Sequence, residues 1–205
     1  MANISFNPAL MTGAQNTFLV DTQGYIQGIT LQDPTSRLWL ESGKVASSVS
    51  QPVWGGMGVA IDTADAAVDD NRNGSSIALA STTQINGFTV FDQAMNMIQT
   101  PGNNVPTSVA GMSVAFYRFG TNARVPLPIA SGTLSDFESV NSATTLYWDT
   151  ANLCLTTTSS TTTVELPSSV SLFSINAANS KTVSYNATSG AVSWLIGQPC
   201  AVIVL

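Results

Sequence analysis

The chain contains no histidine, and this excludes more chemistry than any motif in it suggests. Without imidazole there is no Ser–His–Asp or Cys–His nucleophilic machinery and no His-ligated metal centre. The commonest general base near neutral pH is missing too. What remains is a carboxylate pair or a lysine-assisted serine. Asp and Glu number 12, enough for a glycosidase-type pair, but none stands in a setting that marks it, and they read as solvated loop carboxylates. Lys44 and Lys181 lie in no S-x-x-K motif. The expectation is a protein that is not an enzyme and holds no cofactor.

One stretch has metal-like spacing. Asp69-Asp70-Asn71-Arg72-Asn73-Gly74 satisfies D-x-[DN]-x-[DN]-G, the first half of an EF-hand calcium loop. The bidentate carboxylate of such a loop belongs where this chain has Ala80, and Ile77 occupies another ligand position. Arg72 also adds positive charge where a dication would sit. An Asx-rich turn is the expected structure, with no metal. Cys154 and Cys200 have no metal-ligand spacing. The opening MANISFNPALMTGAQ lacks the basic and apolar regions of a secretory signal, so both cysteines are read as free, buried thiols. For the same reason the sequon Asn186-Ala187-Thr188 carries no weight.

Basic residues total only 6, yet Arg118 and Arg124 both fall in GMSVAFYRFGTNARVPLPIA, residues 111–130. MSVAFYRF reads as a strand with large groups on both faces, hence covered on both sides. After a turn at Gly120–Ala123, RVPLPI places Val125, Leu127 and Ile129 on one face. Pro126 and Pro128 point the other way and cannot donate ladder hydrogen bonds, which places this strand at an edge or outside the sheet. Arg118, Arg124, Pro126 and Pro128 are the candidate protein-interface residues, the arginines fixing alignment with a partner more than gross affinity. For Arg118 an intradomain salt bridge or aromatic stacking is an equal alternative.

Around these residues the chain reads as mostly β. Charged residues are 9% of its 205 residues, against about 25% in ordinary soluble proteins. Mean hydropathy is +0.21. A surface with so little charge is expected to be covered by partners. The net charge of −6 and the lack of basic runs argue against nucleic acid and against attraction to anionic membranes. No apolar run approaches the length of a membrane span.

Residues 3–20 read as an extended arm with a few apolar anchors. YIQGITL (25–31) and RLWLESG, ended by Gly43, are strand candidates. Gly55, Gly56 and Gly58 in WGGMGVAI imply positive φ or close backbone approach in a turn or bulge. Residues 62–74 are an acidic loop. Two or three short strands, or a helix near 89–98, follow, with Asn86-Gly87 and Pro101-Gly102 as turn signals. TTLYWDTANLCLTTTSSTTTVELP and KTVSYNATSGAVSWLIG each read as strand–turn–strand, and PCAVIVL as a last buried strand. No apolar stripe of helical period persists. The predicted fold is short antiparallel strands in a sandwich- or barrel-like core, with an extended N-terminal arm and few short helices. Two parts are expected: residues 1–130, the arm and main β domain, and residues 131–205, a C-terminal β subdomain.

GFTVFDQAMNMIQTPGNNVPTSVAGMSVAFYRFGTNARVPLPI (87–129) resembles the capsid decoration, or structural cement, proteins of tailed bacteriophages. SATTLYWDTANLCLTT fits the same style, and Trp148-Asp149 matches the tryptophan–aspartate step that commonly opens the C-terminal β-region of such proteins. The resemblance implies a non-enzymatic structural protein, assembled in the host cytoplasm, that binds the outside of an icosahedral shell. Its partners would be the major capsid protein and further copies of itself on the capsid. Alternative readings are a tail or head-completion virion component, and a carbohydrate-binding β module using Trp39, Trp54, Trp148 and Trp194 as a stacking platform. A two-carboxylate enzyme is the remaining reading.

Overall fold

The computed structural model describes residues 24–31, 36–62, 75–91, 105–141 and 143–205. The fold is mostly β, as the residue pattern predicts. The N-terminal arm, the acidic loop after Asp62, the Asp69–Gly74 motif, Pro101-Gly102 and most of the 89–98 segment lie outside the described residues.

Five strands, β1 (Glu41–Val45), β2 (Gly58–Asp62), β3 (Ser75–Leu79), β4 (Gly87–Val90) and β5 (Ser113–Arg118), close into a barrel in the order β1-β3-β2-β4-β5. β1 and β3 run parallel, and the other neighbours are antiparallel. Closure leaves no free edge, which suits strands this short. Val45, Val59, Ile61, Ile77, Val114 and Phe116 belong to one buried cluster with Trp54 and Met57, filling the barrel.

Two smaller sheets pack beside the barrel. β6 (Arg124–Pro128), β10 (Ser171–Tyr185) and β11 (Val192–Val204) form one in the order β10-β11-β6. β7 (Tyr147–Asp149), β8 (Cys154–Thr156) and β9 (Thr163–Glu165) form the other in the order β8-β7-β9. A short helix, α1 (Leu134–Glu138), contributes the buried Phe137. A second apolar cluster joins these layers: Phe88, Ala115 and Tyr117 from the barrel meet Leu127, Trp148 and Ile203. β5 therefore alternates between two cores. Val114 and Phe116 face the barrel interior, and Ala115 and Tyr117 face the shared layer. The strand is covered on both sides, as its sequence predicts, and both covers come from its own chain. The apolar cluster also runs across residue 130 without a break, because β6 pairs with β11.

The glycine-rich WGGMGVAI segment is a turn leading into β2. Gly56 has φ 82°. A Cβ on Gly58 would lie 2.7 Å from Nε1 of Trp148, a ring packed edge-on against Phe88 at 5.1 Å. Thr89 holds the turn from inside: its hydroxyl donates to the Trp54 carbonyl at 2.6 Å and accepts from Met57 N–H at 2.9 Å. The hairpin read from KTVSYNATSGAVSWLIG is present, with Tyr185 opposite Val192 and Val183 opposite Trp194. Asn186 shapes its turn by accepting from the amides of Thr188 and Ser189.

Three local expectations need correction. RLWLESG is not one strand: Ser36–Trp39 is a 3-10 turn, and β1 begins only at Glu41. Leu38 and Trp39 are exposed, so neither contributes to a buried face. Gly43 does not end a strand. It sits inside β1, where a Cβ would collide with Ile77 of the parallel neighbour β3. Gly87 is the first residue of β4, pressed against the Tyr117 carbonyl. Asn86 makes no turn there: its side-chain oxygen accepts from Ile61 N–H at 2.9 Å.

Residues 25–31 are extended at both ends but turn at Gln27-Gly28, because the segment changes partner midway. Ile26 bridges Lys181 of β10 in parallel, and Leu31 bridges Arg124 of β6 antiparallel. Between them Gln27, 1% exposed, bonds to both layers. Its Oε1 accepts from Val183 N–H at 2.8 Å, and its Nε2 donates to the Gly55 carbonyl at 3.2 Å. Removing that side chain strands one buried and one partly buried backbone group, so Gln27→Ala is expected to cost about 1–3 kcal/mol. Urea denaturation checks this as a lower midpoint with an unchanged slope.

Candidate protein-interaction surface

Arg118 ends β5 on the barrel exterior. Its Nε donates to both carboxylate oxygens of Glu41, at 2.8 and 2.9 Å. Its Nη2 donates to Ser75 Oγ at 3.2 Å, and its guanidinium carbon lies 5.8 Å from the Phe116 ring centroid. Glu41 is on β1 and Ser75 on β3, so one side chain ties together three adjacent barrel strands. The two ion-pair side chains remain 41% and 40% exposed, and an exposed pair of this kind is worth only about 0–1 kcal/mol.

Arg124 is engaged differently. It starts β6 and stacks over the Phe173 ring at 4.3 Å from its centroid. Among the described residues it has no carboxylate partner. Phe173 is 51% exposed, so cation and ring form one accessible feature with unspent hydrogen-bond donors.

The two prolines follow from the hydrogen bonding of β6. In an antiparallel strand a residue's N–H and C=O point to the same side. The Pro126 carbonyl accepts from Gly28 N–H at 2.9 Å and the Arg124 carbonyl from Leu31 N–H at 3.0 Å, both away from β11. Proline at 126 therefore removes no donor from the β6–β11 ladder. β6 is an edge strand of its sheet, as the prolines predict, and the 25–31 segment covers part of that edge. Pro126 is buried and Pro128 partly exposed.

Sequence reasoning missed the exposed apolar residues. Leu38 is 83% exposed, Ile196 63% and Trp39 61%, with Phe173, Val109 and Leu195 also open to solvent. Phe173 had no signal in the alternation because it lies at an irregularity between Leu172 and Ser174, which shifts the register against β11. The four tryptophans do not form one platform. Trp54 and Trp148 are buried, and Trp194 packs on Phe91 at 5.6 Å, which leaves Trp39 as the exposed ring among them.

Residues Ser75–Leu79, which a calcium loop starting at Asp69 would need for its second half, form β3, with Ile77 in the barrel core. Trp148-Asp149 divides its work. Trp148 is core, while Asp149 accepts from the amides of Ala151 and Asn152 and from the Asn152 side chain, closing the turn to β8. Partial burial pushes the Asp149 carboxyl up. The hydrogen bonds from Asn152, Ala151 and Thr162 outweigh it and hold the group below the ordinary aspartate value.

Cys154 and Cys200 are buried and free, as the sequence predicts. Loss of solvation, reinforced by the Asp149 charge, pushes the Cys154 thiol up to about 12. Burial also pushes Cys200 up, against smaller opposing hydrogen bonds. Neither is a nucleophile at neutral pH.

Two outcomes are expected. An aromatic disulfide reagent labels neither thiol in the native protein, and both of its 2 cysteines once it is denatured. Because Asp149 is depressed when folded, its stabilisation is present above the unfolded value of 3.8 and lost as pH falls through the lower folded value. The melting-temperature gap between the natural protein and Asp149→Ala therefore closes in acid. No protein-family model matches the chain, and no curated protein or solved structure matches it either.

Proposed function

We propose that this is a structural virion protein that binds the outer surface of an assembled icosahedral phage capsid and stabilises the seams between its capsomers. The observation that carries the reading is the surface itself. Large apolar side chains, Leu38, Trp39, Phe173 and Ile196, stand open to solvent in a chain with only 9% charged residues. Such a surface is suited to contact, where apolar burial supplies affinity and a few charges set alignment. The residues that resemble cement proteins contribute Phe88, Ala115, Tyr117 and Leu127 to the shared core and end in β6 with its accessible Arg124. Acidity also suits the exterior of a particle better than a face turned to packaged DNA.

On this reading Arg124 is the alignment residue, and Arg118, already committed to Glu41, is secondary. Arg124→Glu is expected to weaken binding to assembled shells about tenfold or more, equivalent to about 1.4 kcal/mol. The isolated protein should lose less than about 1 kcal/mol, since an exposed cation–π contact contributes no more. Co-sedimentation with shells and thermal melting measure the two quantities, and equal loss in both would assign Arg124 to folding instead. The function itself is tested by quantitative mass spectrometry of purified particles. Copy number comparable to the major shell protein supports the cement role. A handful of copies indicates a tail or head-completion part, and absence from particles overturns the proposal.

A further inference from the structure

The chain leading into β7, the connection from β9 to β10 and the first residues of β10 enclose an open groove of about 590 Å³, a volume typical of ligand sites. Leu146, Leu166 and Val170 line it and are buried, so its depth is apolar. Its rim is charged. Glu138, the last residue of α1, and Glu165, the last residue of β9, are exposed lining residues. Among the described residues neither has a basic partner, the ion pair there being Arg118–Glu41. Phe173 also lines the groove, and the Arg124 guanidinium lies over its ring at 4.3 Å from the centroid. We propose that this groove docks an extended segment of the major shell protein, with a basic residue on Glu138 and Glu165, an apolar side chain inside, and a carboxylate on Arg124.

Charge complementarity argues for that occupant. Charged residues are only 9% of the chain, yet two carboxylates share this one groove. Like charges so placed repel each other, and a basic side chain from a partner relieves the repulsion. Arg124 has the opposite need. Stacking on Phe173 leaves its N–H donors available, and a carboxylate accepts two of them side by side. A reversed segment would set cation against Arg124 and carboxylate against the glutamates, so the charges select one orientation.

The lining decides between a polypeptide and a sugar. Hydroxyl groups set against Leu146, Leu166 and Val170 would lose water without gaining hydrogen bonds, whereas an aliphatic or aromatic side chain is stabilised there. Phe173 and Arg124 are also the residue types that anchor protein–protein contacts. The inference rests on the capsid-binding reading and gives it a contact site.

The full chain and assembled shells test it. Glu138→Lys/Glu165→Lys changes two exposed side chains, so its melting temperature should match that of the natural protein. Its co-sedimentation with shells should be weaker by about tenfold or more. In the natural protein, hydrogen exchange followed by mass spectrometry should slow across residues 143–146 and 165–175 on shell binding, with β3 unchanged as the internal control. If the natural protein binds shells but the double variant binds equally well, or exchange at the groove does not slow, the groove inference is overturned and capsid binding stands. If the natural protein does not bind shells, the capsid reading fails and takes this inference with it. Dextran serves as a control ligand. Slowing at the same residues with dextran and not with shells would make the groove a sugar site and overturn the proposal.

Discussion

The wall made by β4 and β5 has no solvent side. Phe88 and Tyr117 on one face and Phe116 on the other are each at most 1% exposed, so two cores are packed against a single thickness of sheet. Each core fixes the register the other needs, since slipping a strand by one residue exchanges its two faces. Arg118 with Glu41 and Ser75 secures the end of this wall from outside. The Gly87 contact with the Tyr117 carbonyl holds β4 close from within. The remaining layers can be short and irregular because they are built onto a barrel that has already closed.

Sheet edges are the second constraint, and sequence chemistry manages each one differently. The barrel has none. β6 carries prolines whose missing donors would have faced away from its ladder, and residues 25–31 take up carbonyls on that side. β10 is irregular near both Leu172 and Asn176, and such irregularities twist an edge away from indiscriminate pairing. In a charge-poor chain, shape must do the blunting that lysines do elsewhere.

Much of this was legible in the residues. Two-sided apolarity identified β5 as covered, prolines placed β6 at an edge, and the NATSG turn with its flanking pairs gave the β10–β11 hairpin. The failures share a physical cause. The apolar residues of RLWLESG imitated a strand, but Leu38 and Trp39 are left uncovered by the tertiary structure. Gly43 and Gly87 were read as local punctuation, whereas each is small because a strand distant in sequence lies against it. Among the candidate site residues, the Arg118 ion pair was foreseeable as a type, but not its partner, which lies 77 residues away. Nothing local marks Phe173 as the platform for Arg124, or Gln27 as a link between layers, because both depend on contacts between segments far apart in the chain.

The Gln27 link also has a consequence for the order of events during synthesis. Its two ends are separated by 156 residues. A ribosome adding roughly 5–20 residues per second needs about 8–30 s to cover that distance. The barrel strands emerge well before Val183, so the contact between layers forms only after the barrel is able to close. A product that stops short of Val183 would lack it, and would expose the polar edge of Gln27 and the outer face of the barrel to cellular quality control. Closure of the barrel and covering of its outer face are thereby separated in time.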